Sequence, residues 1–504
     1  MSKEHEEEEL DFGLLPDVVW VSVMQYLTLS ERNKVSQTCR LLNDIFHHPT
    51  LWRKVEIILS STPGHPSDVH FINHDRLVQM IEMYGKYMKE VTLVYLSYEK
   101  LIPETCLKVI NALKTECPFE DLIIDFETTL RIGRTQEVLP ILELIRTAEH
   151  LQSLTLRSWP AYEYFDCDRL MTSITNNKNI GKLERLALFW DRPEDATWVS
   201  LNIKIPEPDQ FLTLVNNLIY LQYLSLRSSM LSEEVVKTLA RFSHAPLQRL
   251  GVLVTYEGVK ADQHLPTISR VAWEALRNRS PDLRVDFMVV TRMPSIALGL
   301  FLQEPIPVGG IGFMRYADVR AEDLDHLTSK FSQTLEKFIC YAQPENIDEE
   351  LFILVQSCPN LKWFVYHGSI NHRNVLNLVN SRESGWFHFD ILDKNVVTQD
   401  LPEEPEDGED YHNVIRRSES GEYDFTRRNF IPEENEEERL QILQDIETAV
   451  SKSIGYNWRL RDSHTLNRKI VGVRQNASGR VITNVVETTP TRYLIAKGWP
   501  WVRS

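Results

Sequence analysis

Apolar residues recur at two different periods along this chain. In residues 14–58 they return every three or four positions. Val19, Val23 and Leu27 form one stripe with Trp20 and Met24 beside it; Val35, Cys39, Leu42 and Phe46 form a second; Leu51, Trp52 and Val55 form a third. That spacing predicts three short helices, the second opened by Ser30 as N-cap. Pro16 sets the start of the first. Helices this short, with stripes this full, call for a surface beyond the module itself.

Farther on, the period shortens to two. Runs of the form Leu-x-x-Leu-x-Leu occur as LQSLTL at Leu151, LERLAL at Leu183, LQYLSL at Leu221 and LQRLGV at Leu247. Looser copies lie near Val91, Asp121, Asp282, Leu335 and Leu361, and PVGGIGF near Pro307 and WFHFDIL near Trp386 are two further candidates. Amphipathic stretches such as EEVVKTLARF and EELFILVQSC separate the runs, so one strand and one helix repeat at a period of about 26 to 38 residues, as leucine-rich-repeat-like solenoids require. The expected fold is therefore α/β: a helical module over 14–58, a Pro/Gly/His-rich linker over 59–80, and a solenoid over 81–398 with parallel strands concave and helices convex. The asparagine that usually follows the strand in such repeats is missing, which makes these repeats divergent.

Composition changes the picture mainly at the ends. Residues 1–13 are an acidic lead, expected to be disordered, and the acidic run Glu403–Asp410 reads as a solvated linker. The tail over 399–504 passes from acidic to basic: residues 401–447 hold 16 acids and five arginines, and residues 455–504 hold nine bases and two acids. One helix is expected near 434–453, with Leu440, Leu443, Ile446 and Val450 on its stripe; the rest of the tail is expected to be extended or disordered. A net charge of −17 disfavours nucleic-acid binding. The N-terminus MSKEHEEEEL is too acidic for a signal peptide, and no apolar run reaches membrane-spanning length. Six scattered cysteines with no CxxC fit a reducing compartment, cytoplasmic and/or nuclear.

Catalytic and metal motifs are missing. His65, His70 and His74 lack the spacing of a metal site, Gly309-Gly310-Ile311-Gly312 has no phosphate-cradling continuation, and neither GxSxG nor HExxH occurs. No catalytic residue, cofactor or metal is expected.

The N-terminal module does carry a specific pattern. Leu15-Pro16-Asp17, Val23, Leu27, Cys39 and the closing Leu51-Trp52 resemble the F-box, with two departures: Glu31-Arg32 stands where the family has Asp-Leu, and Leu42 where it has tryptophan. The segments Trp273-Glu-Ala-Leu, LFLQEPIP and IDEELFILVQSCPNLKWF extend the resemblance to F-box proteins with leucine-rich-like repeats over most of residues 14–395. The resemblance implies a noncatalytic substrate-recognition subunit of a Skp–cullin–F-box ubiquitin ligase, bound to the Skp adaptor and through it to a cullin scaffold. It places Leu15, Pro16, Val19, Val23, Met24, Leu27, Cys39, Leu42, Leu51 and Trp52 at the adaptor, with Trp52 as an aromatic anchor. The alternative is a repeat scaffold that recruits partners without a ligase.

A target site follows from strand alternation. Residues between the inward leucines face the concave surface. The position before the central core residue is Arg185, Tyr223, Arg249, Arg284, Lys337 and Trp363, and two positions on lie Arg157 and Arg227. On an acidic protein this column of bases and aromatics predicts binding of an unidentified protein target through an acidic or phosphorylated segment.

Overall fold

The computed structural model describes residues 15–27, 29–60, 74–96, 104–126, 139–157, 167–188, 206, 208–254, 268–290, 295–314, 317–344, 347–382, 386–398, 436–460, 469–475 and 481–486. The acidic lead and the Glu403–Asp410 run lie outside them. Two compact units emerge, one over Met1–Thr291 and Gln303–Pro307, the other over Arg292–Leu302 and Val308–Tyr493.

The first unit opens with α1 (Asp17–Gln25), α2 (Leu29–Ser36) and α3 (Arg40–Phe46), followed by a 3-10 turn over Pro49–Trp52. The second expected helix is thus two. Thr38 Oγ1 donates to Val35 O at 2.7 Å where α2 ends, and Cys39 adopts an extended backbone as the N-cap of α3. Strands and helices then alternate: β1 (Lys54–Ser60), α4 (His74–Tyr84), β2 (Glu90–Leu96), α5 (Glu104–Glu116), β3 (Asp121–Phe126), α6 (Leu139–Thr147), β4 (Ser153–Arg157), α7 (Cys167–Thr175), β5 (Arg185–Leu188), α8 (Pro208–Asn217), β6 (Tyr223–Arg227), α9 (Glu233–Leu239), β7 (Arg249–Val254), α10 (Arg270–Arg279) and β8 (Arg284–Val289). Each strand pairs in parallel with the next. The sheet begins at Lys54 and α4 at His74, earlier than the sequence boundary at 81. Of the expected third helix only a 3-10 turn holding Leu51 and Trp52 forms, and Val55 lies in β1.

Alternation works as the leucine pattern requires. Val55, Ile57 and Leu59 in β1, Leu224 and Leu226 in β6, and Val285, Phe287 and Val289 in β8 are buried toward the helices. Without an asparagine ladder, the repeats are stitched where each strand begins. Lys89 and Glu90 N–H both donate to Arg53 O, Gln152 and Ser153 to Glu120 O, Glu184 and Arg185 to Gln152 O, and Gln222 and Tyr223 to Glu184 O. A second set of stitches satisfies carbonyls left over at helix ends. Buried Asn177 donates through Nδ2 to Ile145 O (2.7 Å) and Ala148 O (2.8 Å), His244 Nε2 to Val215 O (3.0 Å), and Arg279 to His244 O.

The second unit repeats the scheme through α11 (Ser295–Phe301), β9 (Val308–Phe313), α12 (Ala321–Phe331), β10 (Lys337–Cys340), α13 (Asp348–Ser357), β11 (Trp363–Tyr366), β12 (Ile370–Asn371), α14 (His372–Asn380), β13 (His388–Ile391) and β14 (Val396–Val397). Here β9, β10, β11 and β13 pair in parallel, and the glycine cluster at 309–312 is part of a regular strand. His326 Nε2 donates to Leu302 O at 2.8 Å, Asn360 Nδ2 to Gln333 O at 2.8 Å, and Arg382 to Pro359 O at 2.8 Å, the same stitch between repeats.

α15 (Glu436–Ile454) then packs on α14. Arg439 donates to Val396 O and Asp393 O, while Ile446 and Val450 are buried. Leu440, expected on that stripe, is exposed, because the Arg439 contacts fix the helix rotation. Gly455, at φ +82°, ends the helix and turns the chain back. Trp458 thereby reaches β13, where its Nε1 donates to Phe389 O at 2.6 Å and its ring lies 5.7 Å from Phe389. The stretch through residue 460 is ordered packing, where the sequence predicts an extended tail. An antiparallel pair, β15 (Lys469–Gln475) and β16 (Val481–Val486), follows.

Candidate functional site

Two surfaces hold the residues singled out from the sequence. The first is α1. Val21 and Met24 point into the module, whereas Val18 (67% exposed), Val19, Val23 and Tyr26 (91% exposed) point out. Val18 and Tyr26 belong to this outward set although the sequence reading left them aside; both stand one helical turn from Ser22, the signal that could have found them. Pro16 and Cys39 are exposed too, and Leu15, Leu27 and Leu42 are half-buried.

Three expected adaptor contacts face inward instead. Met24, Leu51 and Trp52 are each no more than 2% exposed. Trp52 stacks on Tyr84 of α4 with ring centres 3.9 Å apart and planes 1° from parallel, meets Phe46 edge-on, and donates from Nε1 to Phe46 O at 2.9 Å. The Tyr84 hydroxyl also pairs with His47 Nδ1. Trp52 therefore joins the helical module to the first repeat and is unavailable as an interface anchor.

Arg32 explains one departure from the F-box pattern. Its Nε donates to Met24 O (2.9 Å) and Leu27 O (3.0 Å), and its Nη1 to Leu51 O (2.6 Å). The guanidinium thus satisfies the C-terminal carbonyls of α1 and ties them to the 3-10 turn. Half-burial lowers its pKa.

The second surface is the inner sheet face. In the first unit one register row runs Lys54, Glu90, Asp121, Ser153, Arg185, Tyr223, Arg249, Arg284. The column read from the sequence is therefore a true row across four neighbouring strands. Arg185 lies over the Tyr223 ring at 4.9 Å, Tyr223 donates its hydroxyl to Gln248 Oε1 at 2.6 Å, and Gln248 donates to Gln222 Oε1 at 2.9 Å. Arg249 Nη1 stands 3.8 Å from Asp286 Oδ2. At the other end Lys54 and Glu90 form an ion pair at 2.5 Å. Arg185, Arg249 and Arg284 are half-buried, but the adjoining row under β5–β8 (Ala187, Ser225, Gly251, Asp286) is small or buried.

Arg227 is a correction. It lies on the same face at 0% exposure and offers no surface to a target, since the end of β6 runs into a covered turn with buried Ser228 and Met230. The Arg157 side chain lies outside the described residues. In the second unit Lys337, Trp363 and His388 share a row. Lys337 is half-buried, whereas Trp363 is buried with its ring 4.3 Å from His388, a second candidate withdrawn from the surface by its neighbours.

Of the loop histidines, His74 opens α4, where its Nε2 lies 3.4 Å from Cys106 Sγ and burial lowers its pKa; His65 and His70 fall outside the described residues. Among the described residues no group of His, Cys, Asp and Glu is arranged to hold a metal ion, and no helix is long and apolar enough to cross a membrane.

Comparison with known proteins agrees with this architecture. The family model described as "F-box-like" matches residues 12–58. The protein "F-box/LRR-repeat protein 21" of Ovis aries is 25% identical over 353 residues, 70% of this chain and 76% of that protein. Its counterparts in Bos taurus and Mus musculus are 26% identical over 353 and 23% identical over 354 residues, with the same coverage. With an F-box-like match at the front and parallel strand–helix repeats behind it, this chain is similar to F-box proteins with leucine-rich-like repeats.

Proposed function

We propose that this protein is the substrate-recognition subunit of a Skp–cullin–F-box ubiquitin ligase, working in the cytoplasm and/or nucleus. F-box domains generally bind the Skp adaptor. The observation that carries the reading is α1, a helix welded to the first repeat from behind yet presenting Val18, Val19, Val23 and Tyr26 to solvent. An apolar helical stripe left open on a module whose own core is already closed fits a partner's groove. The adaptor contacts would be Leu15, Pro16, Val19, Val23, Leu27, Cys39 and Leu42, with Val18 and Tyr26 added. Arg185, Tyr223, Arg249 and Arg284, and Lys337 in the second unit, would face the target. The chain itself would do no chemistry: holding target and ubiquitin-charged enzyme on one scaffold raises their effective concentration.

Co-purification with the adaptor tests this. Val19→Glu with Val23→Glu adds two charges on exposed positions and should abolish adaptor capture while leaving the unfolding midpoint unchanged. Capture that survives the double substitution rules the α1 stripe out as the docking surface.

A further inference from the structure

The inner row of the first unit is divided by sign. Over β1–β3 the inner-facing acids are Glu56, Glu90, Asp121 and the buried Asp125, with Lys54 already paired to Glu90. Over β5–β8 the row is Arg185, Tyr223, Arg249 and Arg284, with Asp286 buried beneath Arg249. Uncharged Ser153 lies between the two halves. A face that only needed solvation would intersperse its charges. Here the bases collect at one end of a chain whose net charge is −17.

From this division we infer that the segment of target held on the first unit is itself split in charge, with an acidic or phosphorylated cluster over β5–β8 and a basic cluster over β1–β3. The inference rests on the recruitment role proposed above and adds the substrate class. Neighbouring strands lie about 4.8 Å apart, so the four and a half strand steps from β2 to the midpoint between β6 and β7 separate the centres of the two halves by about 22 Å. An extended chain advances about 3.4 Å per residue, which places the centres of the target's two clusters about six residues apart. Arg249 and Arg284 are register partners on adjacent strands, so both guanidiniums leave neighbouring points of one face, Arg284 Nη1 also donating to Leu283 O at 3.1 Å. Tyr223, held by Gln248, gives the segment a flat support beside them. A uniformly acidic segment is repelled by Glu56, Glu90 and Asp121, so the acidic half selects against it.

Fluorescence-polarisation titration of the full chain tests this with labelled 18-residue peptides. A peptide with two phosphoserines and two glutamates, a gap of about two residues and four lysines, which sets the cluster centres about six residues apart, should bind at least ten-fold tighter than one with the same residues interleaved. R249E with R284E, and separately E90K with D121K, should each remove that preference, and E90K with D121K should also strengthen binding of a purely acidic peptide. R249Q with R284Q keeps side-chain size and serves where charge reversal unfolds the chain. Replacing phosphoserine by glutamate shows whether the oxyanion is phosphate or carboxylate: a loss of ten-fold or more assigns phosphate, equal binding assigns carboxylate. Equal binding of the split and interleaved peptides, or a preference untouched by both double substitutions, overturns the inference. Adaptor capture is scored on the same samples. Lost capture with an intact peptide preference refutes the ligase reading alone, and intact capture without preference refutes the charge-split segment alone.

Discussion

Replacing Arg32 by methionine keeps the aliphatic stem but leaves the carbonyls of Leu27 and Leu51 without their side-chain donor, while Met24 O keeps the Leu27 N–H. Each buried acceptor abandoned in this way costs about 1–3 kcal/mol. R32M is therefore expected to lower the stability of the module by at least about that amount, read as a shift in denaturant midpoint, and to weaken adaptor capture only in proportion to the unfolded fraction. Equal stability of R32M and the parent chain would show that water replaces the guanidinium. At this scale the sequence was partly legible. The register of Arg185, Tyr223, Arg249 and Arg284 follows from the Leu-x-Leu alternation, because a strand leaves only two faces to choose from. The fate of Met24, Leu51 and Trp52 was not: a short helix with apolar residues on two adjoining stripes does not say which one its neighbours will cover. Only Tyr84, some thirty residues on, decides that for Trp52. Arg227 was misplaced for a similar reason, since alternation gives its face but not what lies over it.

Among the elements, α3 offers a chemical footprint of the proposed docking. Its N-cap Cys39 is exposed, whereas Cys106, Cys117, Cys340 and Cys358 are buried and burial pushes their thiols up, to about 11 for Cys106 and about 12 for the others. The reactive species is the thiolate. At pH 8 iodoacetamide should therefore label Cys39 among these five, and the other four only after unfolding. The sign follows from the raised folded-state values: these buried thiols favour the folded chain below the ordinary thiol range, and that contribution fades as pH climbs through about 11 to 12. Bound adaptor should protect Cys39 if α3 belongs to the docking surface; mass spectrometry of the complex that finds undiminished labelling removes it from that surface. Helices and strands of the repeats were visible in the pattern because burial on one face imposes a period. The stitches between repeats were not visible, since Asn177, His244 and Asn360 look like ordinary loop residues until the carbonyls they reach are known.

The second unit closes on a segment that composition alone would assign to the tail. Without α15 and Trp458, the outer edge of β13 loses the indole that binds Phe389 O, and Ile446 and Val450 lose their seat. Trp458→Ala removes a buried indole, a change that costs about 3–5 kcal/mol in protein cores. Deletion of 399–504 should do more, exposing a strand edge that pairs with other chains. Circular dichroism melts and light scattering should show a lower transition and a concentration-dependent rise in mass for both. A truncated chain that stays monomeric with an unchanged melt would mean that α15 is dispensable.

That late-arriving cap also sets an order of events during translation. Domains generally fold from the N-terminus as they leave the ribosome. The first unit can finish while the rest is still being made, but β13 must wait for the synthesis of everything up to Trp458. Until then its open edge is bait for chaperones and for neighbouring nascent chains. A stop codon anywhere between residues 398 and 458 would thus yield a sticky product fit for clearance, however complete its front half.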